Sequence, residues 1–170
     1  MNQRLAQIAE REAKKNYQGN SDSGMGNLYP FLELFADADE VTEERLNSDW
    51  SGAFAFWCVQ KAGYGLPLRY PDTRVHGCFA WVPSWVEYAR LPKIHLWHGA
   101  NEPMEVGDLV VFSFREGKPP RMGIVLHIHG DTMDVAVGNH HNHSAIVECP
   151  TGEGILGFLR LPTDDGEEGV

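Results

Sequence analysis

A serine at the head of a long apolar segment is where this sequence first suggests chemistry. In Asp49-Trp50-Ser51-Gly52-Ala53-Phe54-Ala55-Phe56-Trp57-Cys58-Val59-Gln60-Lys61-Ala62-Gly63, Asp49 is placed to cap a first helical turn and Gly63 to end the last. Phe54, Cys58 and Ala62 recur every four residues, and Gln60 with Lys61 leaves only a narrow polar strip, so the helix should be largely buried. Ser51 then falls in the first turn, near unpaired backbone N–H groups and the positive end of the helix dipole, a field that favours an anionic nucleophile. A hydroxyl gains from that field only if a base takes its proton. Taken alone, the serine either starts a core helix or awaits such a base.

Histidines are the natural bases, and they are scattered. His95 and His98 sit with Trp97 in a stretch that lines a cleft or covers the core. His127 alternates onto the same strand face as Arg121, Gly123 and Val125, but six strand residues place it roughly 20 Å from Arg121, beyond direct contact. His140, His141 and His143 cluster in a turn after Asn139, from which one of them could swing towards Ser51. The same cluster raises a zinc reading, with His141 and His143, or His140 with His95 or His98, as ligands. It lacks a helical His-Glu-X-X-His arrangement and nearby paired cysteines, so a solvated polar turn is preferred and neither metal nor cofactor is expected. Cys58, two turns into the helix, should be buried and inert. Cys78 follows Val75-His76-Gly77, a nearness in sequence that does not by itself make a nucleophile.

The elements that must hold these residues fall into two halves. Residues 2 to 17 form an amphipathic pattern with Leu5, Ile8, Ala9 and Ala13 on one side, and residues 28 to 35 a shorter helix opened by Pro30. Between them lies a turn-rich break at residues 19 to 26. Asp37, Asp39, Glu40, Glu43 and Glu44 read as a solvating acidic run. Pro83 can open a helix through Arg90, and residues 91 to 104 read as a loop. Five strands are expected at 108–114, 122–128, 132–137, 144–148 and 155–161, with Gly130-Asp131 as a tight hairpin turn. Short links without crossover helices favour an antiparallel sheet packed on the preceding helices, an α+β fold.

The totals suit a single domain. With 170 residues, 42% hydrophobic and 22% charged, the chain has enough material for a packed core. A formal charge of -10 and no clear basic patch disfavour nucleic acid as a partner. Cys58, Cys78 and Cys149 form neither a disulfide framework nor a metal-spaced set. Residues 1 to 30 lack a basic start followed by an apolar run, and no stretch approaches 18 uninterrupted apolar residues. The expectation is therefore no membrane span, and a place in the cytoplasm or release by a route without a conventional signal peptide.

Ordered fragments of the chain resemble a known family. Trp50-Ser51-Gly52-Ala53-Phe54 through Trp57-Cys58 to Ala62-Gly63 is similar to the start of the CHAP domain, a relative of the NlpC/P60 papain-like peptidases and amidases. Val106-Gly107-Asp108-Leu109-Val110-Val111-Phe112 resembles the family's first strand and Met122-Gly123-Ile124-Val125 the second. Val137-Gly138-Asn139 resembles the end of the third, and Gly157-Phe158-Leu159-Arg160-Leu161-Pro162 the closing strand. The resemblance spans roughly residues 45 to 162. It implies a CHAP-like domain there, preceded by a helical extension at 1–44 and followed by a flexible tail at 163–170.

What the resemblance implies about activity turns on three positions. The family cleaves amide bonds in peptidoglycan or related peptides with a cysteine, a histidine and a polar third residue. Here Ser51 stands at the cysteine's place and Arg121 at the histidine's, while Asn139 remains of a polar site whose acidic neighbour is replaced by Val137. A permanently protonated guanidinium cannot accept a proton from a hydroxyl. The expectation is an inactive site whose cleft, bordered by Trp50, His95, His98, His127 and His140, binds a peptide, a peptidoglycan fragment or a protein partner. Two alternatives stand beside it: an amidase using Ser51 with a relocated histidine, and a structural protein with a vestigial cleft.

Overall fold

The computed structural model describes residues 1–113 and 116–163. Helix α1, Gln3–Ala13, is opened by the Asn2 side chain, which accepts from the Leu5 N–H. Helix α2, Tyr29–Leu34, carries Pro30 in its first turn. A short helix α3, Glu43–Ser48, occupies the end of the acidic run, with the Thr42 hydroxyl capping it and Glu43 and Glu44 in the turn where negative charge is favoured. Helix α4, Ser51–Lys61, is the central apolar helix, and Gly63 leaves it at φ 94°. Helix α5, Val82–Ala89, begins around Pro83.

The strands are β1 Trp97–Gly99, β2 Leu109–Phe112, β3 Arg121–His129, β4 Thr132–His140, β5 His143–Pro150 and β6 Ile155–Leu159. They form one antiparallel sheet in the order β1-β6-β2-β3-β4-β5. The α+β expectation thus matches the architecture of the described residues. Strand β1 lies in the stretch read as loop, and it exists by pairing Trp97–Gly99 with Leu159–Gly157 rather than through any local pattern. Gly130-Asp131 links β3 to β4 between the paired residues His129 and Thr132. Phe114 of the first expected strand and residues 164 to 170 of the expected tail lie outside the described residues.

One face of the sheet packs on the helices. Met122, Ile124 and Leu126 of β3 and Ala136 of β4 join Leu5, Phe31, Leu46, Phe54 and Phe56 in a single core. Residues 1–44 share that core: Phe31 is fully buried, stacks on Trp50 at 5.8 Å and meets Trp57 edge-on at 5.7 Å. Glu12 of α1 accepts hydrogen bonds from Trp57 Nε1 at 2.8 Å and Tyr17 Oη at 2.9 Å, fastening α1 to α4. Among the described residues, no helix is long and apolar enough to cross a membrane.

The other face forms a second core of Val110, Phe112, Val125, Met133, Val135, Val137, Cys149, Ile155 and Phe158, none contributed by a helix. Burial there requires the sheet to curl, and the connectivity says the same. Strands β5 and β6 are separated by β4, β3 and β2 in the sheet, about 19 Å if it were flat. The residues between Pro150 and Ile155 can span at most about 17 Å fully extended, so the two ends must approach by bending.

Candidate functional site

Ser51 lies at the first position of α4 and is fully buried. Its hydroxyl donates to Asp49 Oδ1 at 3.1 Å, and the same oxygen accepts the Ser51 backbone N–H at 3.2 Å. The hydroxyl oxygen in turn accepts the Met122 N–H at 3.4 Å. Ser51 therefore touches the peptide unit joining Arg121 to Met122, where β3 begins. Asp49 does not act as the helix cap expected of it; Trp50 holds that place without a side-chain bond. Asp49 is instead the polar partner of Ser51, a role its two-residue spacing permits through a local side-chain-to-backbone turn.

The other two residues expected at the site, Arg121 and Asn139, converge on the same place. Arg121 is exposed and donates through Nη1 to the Asn139 carbonyl. Asn139 is 5% exposed, and its side-chain amide donates to the Ser48 carbonyl at 3.4 Å. It sits at φ 61°, in the left-handed region, within a register irregularity between Val137 and His140 of β4. That irregularity turns the Asn139 carbonyl out of the ladder and towards the guanidinium. Gly138 is required beside it, since a Cβ there would stand 2.5 Å from Phe54 Cβ and 2.9 Å from Trp50 Cε3.

A cleft of about 460 Å³ opens beside this cluster. Ser48 and Asp49 form one wall, Phe112, Lys118 and Arg121 another, and His140, His141 and Asn142 the third. Burial lowers the pKa of His140, with the neighbouring His141 and Arg121 adding to the shift. Asn142 ties the turn to the 19–26 loop by donating to Gly19 and Asn20 carbonyls at 3.0 and 3.1 Å.

Four residues expected at the cleft are elsewhere. Trp50 is fully buried against Phe31 and belongs to the core, because the helix-start position turns its indole inward under Gly138. His95 is exposed after α5, with its backbone N–H bonded to the Leu91 carbonyl. His98 lies on β1, three strand positions from β3; it stacks on Phe158 at 5.0 Å and meets Glu102 at 2.9 Å. His127 is on the face opposite to the one expected. A bulge between Val125 and His127 places Leu126 and His127 on the same side, so His127 pairs with Asp134 on the helix-covered face. Only His140 of the five stands at the cleft.

The other candidate chemistry also dissolves. Among the described residues no group of three or more His, Cys, Asp or Glu converges to hold a metal. Cys58 and Cys78 are fully buried, and burial raises both thiols above their ordinary pKa. His76 bonds Glu87 at 3.0 Å. Within the described residues the hydrogen bonds of the Ser51 hydroxyl run to a carboxylate and from a backbone N–H, and an imidazole is not among them. Lys118, Phe112 and Ser48 were not legible as cleft residues, because only the folded approach of the α3–α4 junction to the ends of β2, β3 and β4 makes them neighbours.

No protein-family model, no curated protein and no solved structure matches this chain.

Proposed function

We propose that the chain is a papain-like domain of the CHAP kind whose amide-cleaving site is inoperative and whose cleft binds a peptide or glycopeptide. The observation that carries this reading is the contact of Ser51 with the Arg121–Met122 peptide unit. It supports the reading in which Ser51 and Arg121 stand at the family's nucleophile and base positions, each with a side chain unsuited to that role. Ser51 is enclosed and its proton points at Asp49; Arg121 is a cation bound to the Asn139 carbonyl. General-base help contributes roughly 10² to 10⁴-fold to such reactions, and an enclosed alcohol without it has no comparable route to attack.

The test combines turnover and binding on the purified chain. Peptidoglycan fragments and peptide amides are expected to remain intact, intact mass should show no adduct on Ser51, and at least one fragment should bind saturably. Burst release with an acyl group on Ser51 would overturn the reading in favour of a serine amidase.

A further inference from the structure

A second hollow, of about 180 Å³, adjoins the cleft and opens into the core of the curled sheet. Its walls are largely apolar: Phe112 of β2, Val137 of β4, and Val147, Cys149 and Pro150 of β5. An apolar cavity of about 150 Å³ suffices to bind benzene, so this space takes one aromatic or branched aliphatic side chain. Phe112, Arg121 and His140 border both hollows and form the sill between them.

Charge is distributed unevenly across that sill. The chain as a whole carries -10, yet among the described residues neither Lys118 nor Arg121 forms an ion pair with a carboxylate. Asp49, the carboxylate on the cleft wall, is engaged by Ser51. Glu148 borders the apolar hollow, but alternation along β5 sends its side chain away from the face that carries Val147 and Cys149. Arg121 spends a guanidinium N–H on Asn139 and has further donors in a planar fork suited to a carboxylate.

We infer that the composite site takes the C-terminal end of a peptide, its free carboxylate held by Arg121 and Lys118 and its apolar last side chain inserted into the curled sheet beside Phe112 and Val147. This deepens the binding reading and rests on it. The two recognition elements act on different atoms of one ligand residue, so they separate experimentally without altering the protein.

The full chain is titrated by NMR with N-acetyl-alanyl-phenylalanine, its C-terminal amide, and N-acetyl-alanyl-glycine. The free acid should bind at least about tenfold more tightly than the amide, as loss of a charge-assisted hydrogen-bond pair requires. It should also bind at least about tenfold more tightly than the glycine analogue, as loss of a buried ring requires. Arg121→Gln should abolish the first preference and keep the second; Val147→Trp should do the reverse. A smaller preference in either wild-type comparison, or no binding, overturns the inference. Cleavage of the acetyl-dipeptide would instead remove the non-hydrolytic reading, so the two failures are distinct.

Discussion

Ser51, Arg121 and Asn139 lie far apart in sequence; Ser51 was legible from the apolar helix it opens, whereas Arg121 and Asn139 were marked only by the resemblance. Ser51 opens an apolar helix, Arg121 opens a strand, and Asn139 follows a glycine near a strand end. What each side chain touches was less legible. The Ser51 hydroxyl meets Asp49, two residues away, but also the Met122 N–H, 71 residues away, and no spacing rule announces the second contact. Trp50 shows the limit most plainly: beside a candidate nucleophile it reads as a cleft residue, yet Phe31 supplies a ring that draws it into the core. Gly138 gives a prediction at this scale. Gly138→Ala would force a methyl to within 2.5 Å of Phe54 Cβ, and overpacking of this kind costs about 1–3 kcal/mol. Urea denaturation should show that loss, together with weakened ligand binding as the Asn139 carbonyl moves off Arg121.

Among the elements, periodicity located α1, α2, α4, α5 and five of the strands, because each presents an apolar face at its own repeat. It missed α3, whose acidic residues stabilise a first turn as readily as they solvate a loop. It missed β1, a three-residue strand that depends on β6 for its existence. The bulge at Leu126 was also hidden, and with it the true face of His127. The α1–α4 contact supports a prediction in pH. Burial acts to raise the Glu12 carboxyl, but hydrogen bonds from Trp57, Lys15 and Tyr17 outweigh it and hold the group below its ordinary 4.5. A depressed carboxyl contributes stability that is fully present above 4.5 and is lost as pH falls through the lower folded value. Glu12→Gln should therefore destabilise the protein by about 1–3 kcal/mol at pH 7, since Trp57 and Tyr17 lose an ionised acceptor. The variant's stability should also fall less steeply in acid than the wild type's, as read from urea midpoints at successive pH values.

For the whole molecule, the consequence of shared packing is that the helical segment at 1–44 and the sheet stand or fall together. Leu5, Ala9, Phe31 and Phe35 are at most 1% exposed and lie in the core that holds α4. Truncating one buried phenylalanine to alanine costs about 3–5 kcal/mol, against a total stability of about 5–15 kcal/mol for an ordinary domain. A chain beginning at residue 45 is expected to show no cooperative thermal transition in calorimetry. A sharp transition would mean that the sheet and α4 suffice. The family resemblance covers only residues 45 to 162, so it could not reveal this dependence; buried residues in the first helices make it visible.

On the proposed reading, Ser51 and Arg121 occupy neighbouring nucleophile and base positions with side chains that cannot serve them. Thiolate absorbance near 240 nm, followed through a pH titration, tests it by restoring both. In Ser51→Cys alone, burial and the Asp49 carboxylate should hold the thiol above its ordinary pKa of about 8.5. In the double variant Ser51→Cys, Arg121→His, an imidazole at the start of β3 should form an ion pair with the thiolate and bring its appearance down by two pH units or more, about the shift seen for cysteines paired with histidine. Identical titration curves for the two folded variants would contradict the account.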